Sequence, residues 1–93
     1  MKIIQSRSFK QKVKKIGKQN KKALDEQVLK IAETPNIGTE KRGDLRGVFV
    51  HKYKLKETEY LLSYRFAKDT FELIMIGKHE NHYRDLKSYL KAR

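Results

Sequence analysis

The chain has 93 residues, with 23 Lys and Arg against 11 Asp and Glu, no Cys and a formal net charge of +12. That length predicts one domain, residues 1–93, with a modest core, and the lack of Cys excludes a disulfide framework and a Cys-based zinc site. The charge favours a polyanionic partner such as nucleic acid, a ribosome or an acidic protein.

The chain opens on "MKIIQSRSFK", whose apolar run is too short for a signal-peptide core. Residues 2–4 are expected to form a short strand. From Ser8, "SFKQKVKKIG" reads as a helix: Ser8 and Gln11 have capping-box spacing, Phe9, Val13 and Ile16 form an apolar stripe, and Gly17 is placed to end it. "NKKALDEQVLKIAETP" reads as a second helix, with Asn20 as N-cap, Leu24, Val28 and Ile31 as its stripe, and Thr34-Pro35 as its stop. Residues 35–44, "PNIGTEKRGD", read as a loop.

Three strands are expected next. In "LRGVFVHKYKLK", Phe49, His51, Tyr53 and Leu55 alternate with Val50, Lys52, Lys54 and Lys56. In "EYLLSYRF", Tyr60, Leu62, Tyr64 and Phe66 share one face, and Leu61, Ser63 and Arg65 the other. "TFELIMIG" is the most apolar of the three, and short links predict an antiparallel meander. Its longest apolar run, "LIMI", is far below a membrane span, so a soluble cytoplasmic protein with no membrane partner is expected. "NHYRDLKSYLK" reads as a last helix, with Tyr83, Leu86 and Leu90 on one side. The predicted class is α+β, an N-terminal helical hairpin packed on a small antiparallel sheet in the order βααβββα.

The two helices are expected to cover the apolar sheet face. Lys52, Lys54, Lys56 and Arg65 then lie on an open opposite face, with "GKHENHY" (residues 77–83) at its edge. Lysines at such spacing form either a solvated, edge-protecting face or a phosphate-binding surface; the set as a whole favours the second. His79, Glu80, His82 and Tyr83 adjoin it. Metal-free RNA cleavage needs a base for the 2′-OH, cations for the phosphate charge and an acid for the leaving oxygen. Histidine can serve as base or acid, and tyrosine can stack on a base. His79, in a turn, is the residue least explained by packing, whereas His82 reads equally well as a first-turn helix residue, Tyr83 as core, and His51 as core or boundary. His79, Glu80 and His82 do not match a metal signature, and no cofactor is expected.

"GDLRGVFVHKYKLKETEYLLSYRF" followed by "LIMIGKHENHYRDLKSYL" resembles the RelE/ParE superfamily of toxins from bacterial type II toxin–antitoxin systems. The likeness covers roughly residues 44–90, and the helical hairpin before them fits it. The resemblance implies a toxin neutralised by a cognate antitoxin. RelE-like members cleave mRNA on the ribosome, whereas ParE-like members poison DNA gyrase without nuclease activity. On the RelE pattern, Lys52 and Lys54 match strand lysines that contact the phosphate. Tyr83 falls near a C-terminal tyrosine that stacks on RNA or takes part in catalysis, and His79 falls where RelE has an arginine. The resemblance thus implies His79, Tyr83 and Arg65 as catalytic residues and Lys52, Lys54, Lys56 and Lys78 as RNA-binding. One departure is Leu61, where RelE-type toxins carry an arginine; Arg65 lies on the same face about 13 Å further on. The ParE-like alternative, and an inactive antitoxin-binding relative, remain open.

Overall fold

The computed structural model describes residues 2–91, apart from the side chains of Asp44, Glu80 and Asn81. Its elements are β1 (Lys2–Gln5), α1 (Arg7–Val13), α2 (Gly17–Glu33), β2 (Thr39–Glu40), β3 (Phe49–Leu55), β4 (Thr58–Ala67), β5 (Thr70–Lys78) and α3 (His79–Lys91). Single 3-10 turns at Pro35–Ile37 and Gly43–Leu45 flank β2. The α+β class and element order are those expected, with one short strand added inside the stretch read as a loop. Among the described residues, no helix is long and apolar enough to cross a membrane.

The sheet runs β1-β5-β4-β3-β2. β3, β4 and β5 form the expected meander, with Lys52 opposite Leu61 and Leu61 opposite Gly77. β1 instead pairs in parallel with β5, Lys2 opposite Thr70 and Gln5 opposite Leu73, so the sheet is mixed rather than wholly antiparallel. At its other edge β2 places Thr39 opposite Val50. A bulge between β4 and β5 skips Ile74, since Ser63 pairs with Met75 and Tyr64 with Leu73. An extra residue reverses the alternation beyond it, so Ile74 and Met75 both join the same cluster.

Each sheet face is packed. On one, Tyr53, Leu62, Tyr64, Phe71, Leu73 and Ile76 bury against Phe9, Leu24 and Ile31 of the helical hairpin. On the other, Ile74 and Met75 meet Leu45, Val48 and Leu86, with Tyr83, Tyr89 and Leu90 against them. The second face is therefore not the open surface expected. The α3 helix covers much of its β4–β5 part, because its own apolar stripe needs a partner, while Lys52 and Lys54 on β3 and Glu59 on β4 stay exposed there. Lys56 does not share that face. It sits in the β3–β4 turn at φ 56°, a left-handed conformation.

Two helix starts differ from expectation. The α1 cap is Ser6, not Ser8: its Oγ accepts from the Phe9 N–H at 2.9 Å and donates to the Ile74 carbonyl at 2.6 Å. The Ser6 N–H still bonds the Leu73 carbonyl, so the chain leaves the sheet at this residue. The α2 helix begins at Gly17 (φ 81°), where the left-handed backbone turns the chain. That places Asn20 inside the helix, buried and accepting from the Tyr53 hydroxyl at 3.1 Å, and not at its N-cap.

Candidate nucleic-acid interface and active site

The residues in question meet where β5 ends and α3 begins. The handover is immediate: β5 stops at Lys78 and His79 is the first helical residue, so no loop separates them. One turn later His82 points inward and is fully buried. Its Nε2 makes a short hydrogen bond with Ser63 Oγ on β4, while Nδ1 has no partner among the described residues. A Cβ at Gly77 would lie 3.7 Å from that Nδ1, an ordinary van der Waals contact, so the ring packs directly over this glycine. Burial lowers the His82 pKa to about 4; Asp85 opposes the shift, and the charges of Lys12 and His79 add to it. His82 is therefore neutral at pH 7 and acts as a buried peg that seats α3.

Tyr83 lies beside this peg, half-buried. Its ring meets His79 edge-on at 6.4 Å between centroids and His82 at 5.8 Å. The Lys41 ammonium stands 5.2 Å from the centre of the Tyr83 ring, within cation–π range. His79 is half-exposed, with its Nε2 4.0 Å from Glu59 Oε1. Glu59 in turn pairs across the sheet with Lys54. Lys54, Glu59 and His79 thus follow one another across the top of the sheet, above a shallow cavity of about 330 Å³ lined by Glu57, Thr58, Glu59, Lys78 and His79.

The structure brings His79 and Tyr83 together, beside the face that carries Lys52 and Lys54. It does not bring Arg65 to them. Arg65 lies five residues along β4 from Tyr60, which pairs with Lys78, or about 17 Å away. There its guanidinium donates to Glu72 Oε1 at 3.0 and 3.2 Å. Leu61, which the resemblance sets against an arginine of RelE-type toxins, is fully buried. Lys78 is exposed but pairs with Tyr60, on the alternation opposite to Gly77. Lys56 occupies the β3–β4 turn. The Glu80 side chain lies outside the described residues. His51 keeps its boundary role: half-buried, it bonds Gln27 Oε1 at 2.7 Å, and burial together with Lys30 lowers its pKa.

Two participants, Glu59 and Lys41, escaped sequence reasoning, and His82, named from the sequence as a proton-handling or first-turn helix residue, is buried. His82 had a signal, since His82, Leu86 and Tyr89 follow helical i, i+4, i+7 spacing and belong to the inward stripe. Glu59 alternates with Leu61 and Ser63, but nothing in its neighbours ties it to His79. Lys41 had none, because it reaches Tyr83 through a two-residue strand too short to read.

The comparisons with known proteins bear on the family and the fold. The family model described as "ParE-like toxin of type II bacterial toxin-antitoxin system" matches residues 3–87. A free E. coli RelE toxin carrying two arginine-to-alanine substitutions superposes with a TM-score of 0.73 at 20% identity, covering 99% of this chain and 95% of that one. The isolated E. coli RelE toxin gives 0.67 at 19% identity over 99% and 98%. A chain of the intact E. coli RelBE toxin–antitoxin complex gives 0.66 at 20% identity over 83% and 94%. No curated protein matches the chain in sequence. With its matched residues running from the first strand into the last helix, the chain belongs to the ParE-like toxins of type II bacterial toxin–antitoxin systems, within the RelE/ParE superfamily.

Proposed function

We propose that this toxin is a metal-independent, ribosome-dependent mRNA endoribonuclease, held inactive by a cognate antitoxin. The observation that carries the reading is the grouping of His79 and Tyr83, edge to face at 6.4 Å, next to a lysine-bearing sheet face. In this reading Lys52 and Lys54 hold the phosphate, with Lys56 and Lys78 adding charge around it. His79 exchanges a proton with the 2′-OH or the leaving 5′ oxygen, oriented by Glu59, and Tyr83 stacks on a base. Acid–base groups so placed contribute about 10² to 10⁴-fold, and fixed cations stabilise the charge that grows on the phosphate. Arg65, tied to Glu72, supports the sheet from a distance. The likeness to RelE structures supports the fold this chemistry uses.

The second reading is a ParE-like inhibitor of DNA gyrase with no chemistry of its own. The buried Leu61 and the ParE-like description of the matching family favour it. Brief induction in bacteria followed by mapping of mRNA 5′ ends separates the two. The nuclease reading expects cuts inside translated codons that disappear in His79→Ala. Growth arrest with intact mRNA and a DNA-damage response would establish the gyrase reading instead.

A further inference from the structure

The stretch from Glu40 to Arg46 carries three cations, Lys41, Arg42 and Arg46, around a concavity of about 430 Å³ that Glu40 and Gly43 also line. It is held in shape from within. The Lys41 N–H bonds the Val48 carbonyl at 2.9 Å, Arg46 N–H the Gly43 carbonyl at 3.1 Å, and Val48 N–H the Leu45 carbonyl at 2.9 Å. Leu45 and Val48 anchor it in the core beneath α3, and Gly43 takes the left-handed φ of 66° that the bend requires. Arg42 and Arg46 are exposed, and among the described residues neither they nor Lys41 form an ion pair. Like charges held close on a fixed backbone repel one another, and an anion removes that repulsion.

The register places this concavity in line with the candidate site. Lys41 bonds at the level of Val48. Two residues along, Val50 pairs with Ser63, which holds His82 and so sets Tyr83. Lys52 and Lys54 follow on the same alternation of β3. From the level of Val48 to Lys54 is six strand residues, about 20 Å. The Lys41 ammonium stands 5.2 Å from the centre of the Tyr83 ring, so this concavity adjoins the ring, and Lys52 and Lys54 continue the line of cations along β3.

We propose that the 40–46 stretch is a second phosphate subsite, through which Lys41 and Arg42 bind the backbone of a single-stranded RNA that passes over Tyr83 to Lys52 and Lys54. This deepens the nuclease reading and rests on it. The proposal is tested with a fluorescent, fully 2′-O-methylated oligoribonucleotide, which cannot be cleaved, binding the whole chain across a salt series. Single strands lose about 0.7 of log–log salt slope for each phosphate contact removed. Lys41→Gln/Arg42→Gln is therefore expected to flatten the slope by about 1.4 and weaken binding at low salt. An exposed control, Lys10→Gln/Lys14→Gln on α1 and at its C-cap, is expected to change it little, and thermal melts establish that each variant is folded. An equal loss in the control would overturn the subsite, since bulk charge then explains it. An unchanged slope in the 41/42 variant, with weakened binding in Lys52→Gln/Lys54→Gln, would overturn the subsite and leave the RNA reading standing. Loss of affinity for an acidic antitoxin segment with RNA affinity intact would reassign the cations to a protein partner. No RNA binding by the unaltered chain would overturn the subsite, and the mapping of mRNA 5′ ends then decides the ribosome-dependent nuclease reading by itself.

Discussion

His82 and Ser63 form a polar pair sealed between α3 and the sheet, and its energetics are asymmetric. Removing one partner leaves a buried group unsatisfied, whereas removing both costs little. Ser63→Ala is expected to cost about 1–3 kcal/mol in urea unfolding, and Ser63→Ala/His82→Leu to recover part of that. The same pair sets an acid limit. Above pH 6.5 His82 is neutral folded and unfolded, so its contribution is flat. Between 6.5 and about 4 the unfolded chain takes up a proton that the native site refuses, and stability falls as pH falls. The loss from this residue totals about 3 kcal/mol, and His51 adds in the same direction. Urea midpoints from pH 7 to 4.5 should show a drop that is reduced in the double variant. Tyr64 is a second such residue. Its buried hydroxyl donates to the Pro35 carbonyl at 2.6 Å and accepts from the Gly38 N–H at 3.0 Å. A Cβ at Gly38 would come within 2.7 Å of that oxygen and 3.0 Å of the Val50 carbonyl. Tyr64→Phe and Gly38→Ala should each lower the melting temperature. Individual roles like these were the least legible part of the sequence. His82 could be placed inside by its spacing from Leu86, but no local pattern says that Ser63 receives it.

At the scale of elements, the periodic signals were sound and the boundaries were not. Phe9, Leu24 and Ile31 are buried as their helical spacing predicts, and β3 to β5 follow the alternation and short turns read from them. Capping-box spacing, which points to Ser8, is a local rule. What selects Ser6 is its bond to Ile74, 68 residues away. Ser6→Ala removes both the cap and that cross-chain bond. It is expected to cost more than the roughly 1 kcal/mol of an ordinary cap, read from the urea midpoint, with Ser8→Ala close to neutral. The bulge at Ile74 escaped for the same reason, since a skipped residue is set by the partner strand. The exposed lysine face shrank because α3, whose docking partner no local pattern reveals, lies over half of it.

Across the whole molecule, the order of periodic elements correctly pointed to an α+β fold, and the resemblance supplied the superfamily. The parallel pairing of β1 with β5 was not legible. It depends on the crossover through both helices, β2, β3 and β4, and no segment records where its partner lies. That pairing also governs when the protein can exist. Among the described residues the first strand pairs in the sheet with residues 70–73 alone, and Phe9, Leu24 and Ile31 meet Phe71, Leu73 and Ile76 only once β5 is present. A fragment ending at Asp69 should remain largely unfolded by circular dichroism, and the whole chain should refold slowly for its size because its contacts are so distant in sequence. During synthesis, the residues of the candidate site between His79 and Tyr83 follow β5 directly. A growing chain thus carries no assembled site until its last strand has cleared the exit of the ribosome that makes it.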